Sequence, residues 1–205
     1  MRTLAPFRIV PRWLWVASGA LVCLVIGTWA LGGLDTVEGA TPTEWAAGDP
    51  HDHGQVIATI HDYTVTTETG QSLPEGATAW LVVRATVVGD DEETLDYPRD
   101  IVELPPGLAL TDGEDPQPEA THQVDLGDGR RHPLVHPDLP IEIAFLWPLA
   151  DAADVPTDGL DVEALETPWV FSPSSNAWHW GTSEPVADMT IPYTPEVPDV
   201  LRGGD

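Results

Sequence analysis

Residues 13–34, WLWVASGALVCLVIGTWALGGL, form a run of 22 positions without one charged side chain. As a helix rising about 1.5 Å per residue the run is roughly 33 Å long, which predicts a transmembrane helix. Beyond it the hydrophobic period shortens to two. From Val56, VIATIHDYTVTT sets Ile57, Thr59, His61, Tyr63 and Val65 on one face of a predicted strand, with Val56, Ala58, Ile60 and Asp62 on the other. AWLVVRATVV, starting at Ala79 behind a turn at Pro74, Glu75 and Gly76, has the β-branched and aromatic content of a central strand.

The remaining apolar pieces are short. Ile101 to Leu110 lies between two acidic, proline-bearing stretches and reads as an edge strand. THQVDL and RRHPLVH flank Gly127-Asp128-Gly129, which supplies the positive φ of a tight hairpin. IEIAFLW (from Ile141), LDVEAL (from Leu160), WVF (from Trp169) and Met189 to Tyr193 complete seven or eight strands, with no amphipathic helix among them. The predicted fold is all-β, an antiparallel β-sandwich preceded by one N-terminal transmembrane helix. The domains expected are a cytoplasmic N-terminus at 1–12, the helix at 13–34 and a Gly-, Pro- and acid-rich tether at 35–54. The sandwich at 55–193 and a flexible tail at 194–205 follow.

Charge sharpens this organisation. The 205 residues carry 34 Asp and Glu against 8 Arg and no Lys, a net charge of −26, and no acid precedes Asp35. Arg2, Arg8 and Arg12 before the apolar run, and Asp35 and Glu38 after it, orient the N-terminus to the cytoplasm and the acidic bulk outside. Trp13, Trp15 and Trp29 fit the interfacial positions of such a helix. The outer part, five Arg against all 34 acids, repels phosphate backbones, which excludes a nucleic-acid partner. A cleaved secretory signal ending near Ala40 is the competing reading, but the apolar run is long for one and Glu38 stands where a small residue is preferred. The single cysteine, Cys23, lies within the apolar run, so the outer part has no disulfide framework.

The stretch from Gly76 through AWLVVRATVV, with the later LPIEIAFLWPLADAADVP and LDVEAL, resembles the membrane- or lipid-anchored immunoglobulin-like domains of unknown function found outside bacterial membranes. The likeness covers roughly residues 55–165. It implies an immunoglobulin-like, extracytoplasmic sandwich. The absence of Lys and the Ala, Asp and Pro bias resemble a high-GC actinobacterial sequence.

Three groups of residues carry candidate chemistry. His51, Asp52 and His53, with His61 further on, form the densest set of metal-ligand types; in an extended segment His51 and His53 point the same way, and imidazole with carboxylate suits zinc or copper. A solvated tether end is the plain alternative. The acids at 90–93 and Asp112, Glu114 and Asp115 match no calcium-loop spacing, so diffuse, weak divalent-cation binding is the extent of any cofactor expected. Trp178, His179 and Trp180, with Trp169 nearby, make an aromatic cluster: packed, it plugs one end of the sandwich core, and exposed, it forms a ligand or partner surface beside the SPSSNA loop. No GxSxG, phosphate-binding or dinucleotide glycine pattern occurs, which argues against an enzyme.

Together these observations imply a single-pass membrane protein presenting a non-catalytic acidic extracytoplasmic domain. It would be an accessory or partner-binding subunit of a transporter or cell-envelope complex. An extracytoplasmic metal- or carbohydrate-binding protein is the alternative, ahead of a secreted hydrolase.

Overall fold

The computed structural model describes residues 43–90, 94–96, 98, 100–109 and 120–203. The transmembrane helix expected at 13–34, the segment 1–12, the start of the tether and the acids at 91–93, 112, 114 and 115 lie outside the described residues. Among the described residues no helix is long and apolar enough to cross a membrane.

The regular structure of the described residues is almost entirely strand. In order it runs β1 (Thr43–Ala46), β2 (Pro50–Asp52), β3 (Val56–Thr66), β4 (Ala79–Gly89), β5 (Leu95–Asp96), β6 (Val102–Glu103), β7 (His122–Asp125) and β8 (Leu134–Val135). Then come β9 (Ile141–Leu149), β10 (Leu160–Glu166), β11 (Trp169–Ser172), β12 (Ala177–Trp180) and β13 (Glu184–Ile191). One sheet has the order β2-β3-β4-β9-β7 and a second the order β1-β13-β10-β6, while β11-β12 and β5-β8 form separate two-stranded ribbons. The two large sheets share one core. Val56, Ala58 and Ile60 of β3, Leu81 and Val83 of β4 and Phe145 and Trp147 of β9 meet Leu160 and Val162 of β10 and Met189 and Ile191 of β13.

The alternation read from β3 is interrupted. A bulge between Ile60 and Asp62 inserts one residue, so Tyr63 joins the core face of Val56, Ala58 and Ile60 instead of the opposite face. Asp62 is thereby turned outward, where it pairs with Arg84 of β4, and Tyr63 donates its hydroxyl to the Pro156 carbonyl. Burial and the nearby Asp158 hold the Tyr63 phenol above its usual range.

The tether is shorter than its composition suggests. From Thr43 the chain belongs to the sandwich: β1 runs parallel to β13 at the edge of the second sheet, then crosses at Gly48 so that β2 pairs with β3 in the first. A Gly- and Pro-rich segment can serve as two edge strands because an edge needs partners on one side alone. The tail also differs from its expectation. Residues 194–203 cross the outer face of the first sheet, where Val197 and Leu201 cover Trp80, Val82, Val124, Ala144 and Leu146. With these residues β4 and β9 are apolar on both faces, and Val124 of β7 extends the outer patch, so that second face has to be covered.

The hairpin expected around Gly127-Asp128-Gly129 is present as a turn, with the Asp125 N–H bonded to the Arg130 carbonyl at 2.9 Å, but its second arm does not continue. His132 has φ of 64°, and Leu134–Val135 pairs with β5 instead of β7. His122 lies against Trp80 with ring centroids 5.4 Å apart. Burial, with Arg131 nearby, lowers its pKa.

Candidate functional site

The ribbon of β10 and β13 is the element that positions the site. Its ladder reaches Glu166 opposite Glu184 and resumes at Trp169 opposite Trp180, so β11 and β12 prolong it as a hairpin that pairs with neither large sheet. Side chains two apart on a strand share a face, and cross-strand partners share it too. Trp169, Phe171, Trp178 and Trp180 therefore fall on one face of the hairpin. Trp169 and Trp180 meet edge to face with centroids 4.8 Å apart, and Phe171 and Trp178 lie 5.6 Å apart at 59°. The loop Pro173 to Asn176 closes the turn, with Asn176 at a φ of 51° that asparagine tolerates well.

This aromatic face is open. Trp178 is 58% exposed, Trp169 51% and Phe171 45%, so the cluster does not plug the end of the sandwich core. The reason is topological: the Trp residues belong to a hairpin beyond the last paired rung of the sheet, out of reach of the space between the layers. His179 is exposed on the opposite face of the same strand, across from Val170. From Thr167 to Ser183 the sequence contains no Asp, Glu, Lys or Arg, in a chain with 42 such residues, and Glu166 and Glu184 stand just outside that interval. Large exposed apolar side chains gathered on one uncharged element mark a contact surface.

The base of the hairpin is fixed by the expected metal segment. His53 is buried and donates from Nδ1 to the Leu165 carbonyl at 2.6 Å, while the Thr167 N–H bonds to the His53 carbonyl at 2.9 Å. The Nδ1–H tautomer leaves Nε2 as a bare lone pair, which has no hydrogen-bond partner among the described residues. Burial pushes the His53 pKa below its ordinary value. Gly54, with φ of +86°, backs directly onto Thr167: a Cβ there would lie 2.0 Å from the Thr167 oxygen. The Gly181 N–H to the Pro168 carbonyl, at 2.8 Å, and the hydroxyls of Thr167 and Ser183, also 2.8 Å apart, close the other side.

The structure does not gather the metal-ligand candidates into a site. His51 stacks on Trp45 at 4.3 Å and hydrogen-bonds the Ala46 carbonyl through Nε2; Asp52 caps the Gly54 N–H; His61 bonds to Thr86 through Nε2 at 2.7 Å. Each is engaged with a different neighbour. Among the described residues no three His, Cys, Asp or Glu side chains converge so as to hold a metal ion.

A second surface escaped the sequence reading. Glu44, Asp188, Glu163 and Glu103 are successive cross-strand partners on β1, β13, β10 and β6, which makes an unbroken row of carboxylates across the outer face of the second sheet. Asp161 lies beside this row, and the Glu103 pKa is raised by burial and by the Glu163 charge. Phe171 was missed as well. Its signal is the spacing itself, since Trp169 and Phe171 mirror Trp178 and Trp180 about the SPSSNA turn. No family model matches the chain, and neither a curated protein nor a solved structure matches it. The site is thus read from geometry alone.

Proposed function

We propose that this protein is a single-pass membrane protein whose extracytoplasmic, immunoglobulin-like sandwich acts by contact instead of catalysis, as an accessory subunit of a transporter or cell-envelope assembly. The observation that carries the reading is the uncharged hairpin face of Trp169, Phe171, Trp178 and Trp180, hydrogen-bonded to the sandwich at its base and with Trp169, Phe171 and Trp178 exposed. A catalytic site needs a nucleophile or acid–base pair in mutual reach within a cleft. The hairpin offers apolar area and an exposed histidine. The apolar run at 13–34 supports the anchor, and the acidic sandwich suits an outer, solvated location.

A carbohydrate-binding role for the Trp residues fits less well. Stacking on sugar rings calls for flat aromatic platforms, and here the paired rings are tilted by 64° and 59°, giving an uneven apolar relief. The test is mild-detergent purification of the full-length chain from its native membrane, with mass spectrometry of the chain and of everything that accompanies it. An intact N-terminus with a stoichiometric membrane component supports the reading. A chain cut near Ala40 and recovered alone overturns it.

A further inference from the structure

We infer that the aromatic hairpin seats on the lipid bilayer itself, at the boundary of headgroups and acyl chains, and fixes the orientation of the sandwich above the membrane. The inference rests on the anchored reading proposed above and names the occupant of the same surface.

The topology supplies the first argument. β1 runs parallel to β13, with Thr43 opposite Ala187, three residues from Glu184, where the hairpin joins the sheet. A strand parallel to β13 enters from the end at which β13 begins, so the chain comes into the sandwich at the hairpin end. Eight residues separate Leu34, the last of the apolar run, from Thr43. At about 3.3 Å per residue they reach at most roughly 26 Å. The hairpin extends from Trp169 to the turn at Ser174, about 17 Å at the rise of a strand. A chain of that length lets the hairpin, at the end where the chain enters the sandwich, come within reach of the membrane.

Composition and shape supply the second argument. Trp side chains favour the interfacial zone because their rings are apolar and their indole N–H still finds polar partners there. Elements lying in this zone sink an apolar face about 5–10 Å into the headgroup boundary while the opposite face stays wet. The hairpin has that division, with three Trp and one Phe on one face and His179 on the other. Acids are repelled by anionic headgroups, and the interval from Thr167 to Ser183 has none. A tilted, irregular set of rings suits a fluid boundary, which conforms to it.

The test uses the full-length chain, one copy per nanodisc of phosphatidylcholine and phosphatidylglycerol, with no other protein present. In a Cys23→Ala background, a nitroxide is placed at the hairpin turn through Ser175→Cys, and separately at the opposite end of the sandwich through Glu75→Cys. Position 75 lies at that end because Thr66 pairs with Trp80 there and Tyr63 bridges Tyr193 beyond the end of β13. The expected result is that the label at 175 loses collisions with a water-soluble nickel chelate and gains collisions with oxygen, while the label at 75 behaves as in water. Combining Trp169→Ser, Trp178→Ser and Trp180→Ser should return the label at 175 to water, with the spectrum at 75 unchanged as the control for folding. A chain retained in the disc with equal chelate access at 175 and 75 overturns the inference and leaves the anchored reading standing. Immersion that survives the triple substitution also overturns it. A chain that does not enter the disc overturns the anchored reading, and the inference falls with it.

Discussion

His53 donates from Nδ1 to the main-chain carbonyl of Leu165, 112 residues away, at 2.6 Å. That bond ties the strand that enters the domain to the strand that leaves it for the hairpin. Replacing His53 by Ala removes a buried donor and leaves a hole beside Trp45, so a loss of roughly 2 kcal/mol is expected from urea unfolding. The pH dependence has a definite sign. Burial favours the neutral ring in the folded state, so the unfolded chain binds the proton first as pH falls below the ordinary histidine value of about 6.5. Stability from this residue is full above that value and declines below it, until the folded-state pKa is passed. In His53→Ala the slope is expected to shrink to the part that His122, lowered in the same way, supplies, and an unchanged slope would assign it to another group.

The carboxylate row works in the opposite direction. Glu103 holds its proton more tightly in the folded protein than in the unfolded chain, so the folded state gains stability as pH falls through its raised pKa. At neutral pH the row is a liability, because like charges on opposed strand positions repel. Glu163→Gln is expected to stabilise the protein by about 0.5 kcal/mol in low salt, with the gain shrinking as salt screens the row. Urea midpoints of the two proteins at low and high ionic strength measure both effects. A substitution that destabilises would show that Glu163 makes a favourable contact.

Gly54 has no room for a side chain. Alanine there meets the Thr167 oxygen and must hold a positive φ, so Gly54→Ala is expected to cost about 3 kcal/mol and to loosen the hairpin base. Hydrogen exchange should accelerate at Thr167 and Gly181, whose N–H bonds fix that base, before it does so in β4. Gly48, also at positive φ but with nothing near its Cβ, serves as the comparison: Gly48→Ala pays the backbone strain alone.

The C-terminal segment is part of the fold. Leu201 is buried against the cluster that contains Trp80, and the Gly70 N–H holds its carbonyl at 2.6 Å. Leu201→Ala is expected to cost about 2 kcal/mol. Truncation after Pro192 should uncover Trp80 and Leu146 and raise the binding of a hydrophobic dye. An unaltered dye signal would show that the outer face of the first sheet is covered in another way.

Hairpin and sandwich should separate in their responses. Trp178 is largely exposed and contacts Phe171 across the hairpin, so Trp178→Ala is expected to lower stability by about 1 kcal/mol or less while weakening the contact made by that face. Equal losses in both measurements would make Trp178 a structural residue.

By itself the sequence determined the element type and much of the strand pattern. Val56, Ala58 and Ile60, then Ala79 to Val88, then Ile141 to Trp147, carry the period and the β-branched content that only a sheet can bury, and the acid-free aromatic interval around Trp178 is legible as written. Tertiary structure decided what each residue faces. Hydrophobic content in Trp169 and Trp180 is the same whether they fill a core or leave it; the pairing of β10 with β13 puts them past its end. The bulge after Ile60 is invisible to a period of two, because one inserted residue exchanges faces without changing composition. Glu44, Asp188, Glu163 and Glu103 are far apart in the chain, and His53 meets Leu165 across most of the domain, so both relationships exist only once strand order and register are set. Local pattern fixes which segments extend, whereas strand order, register and the crossing at Gly48 are long-range pairings, chosen by the burial of the whole sandwich.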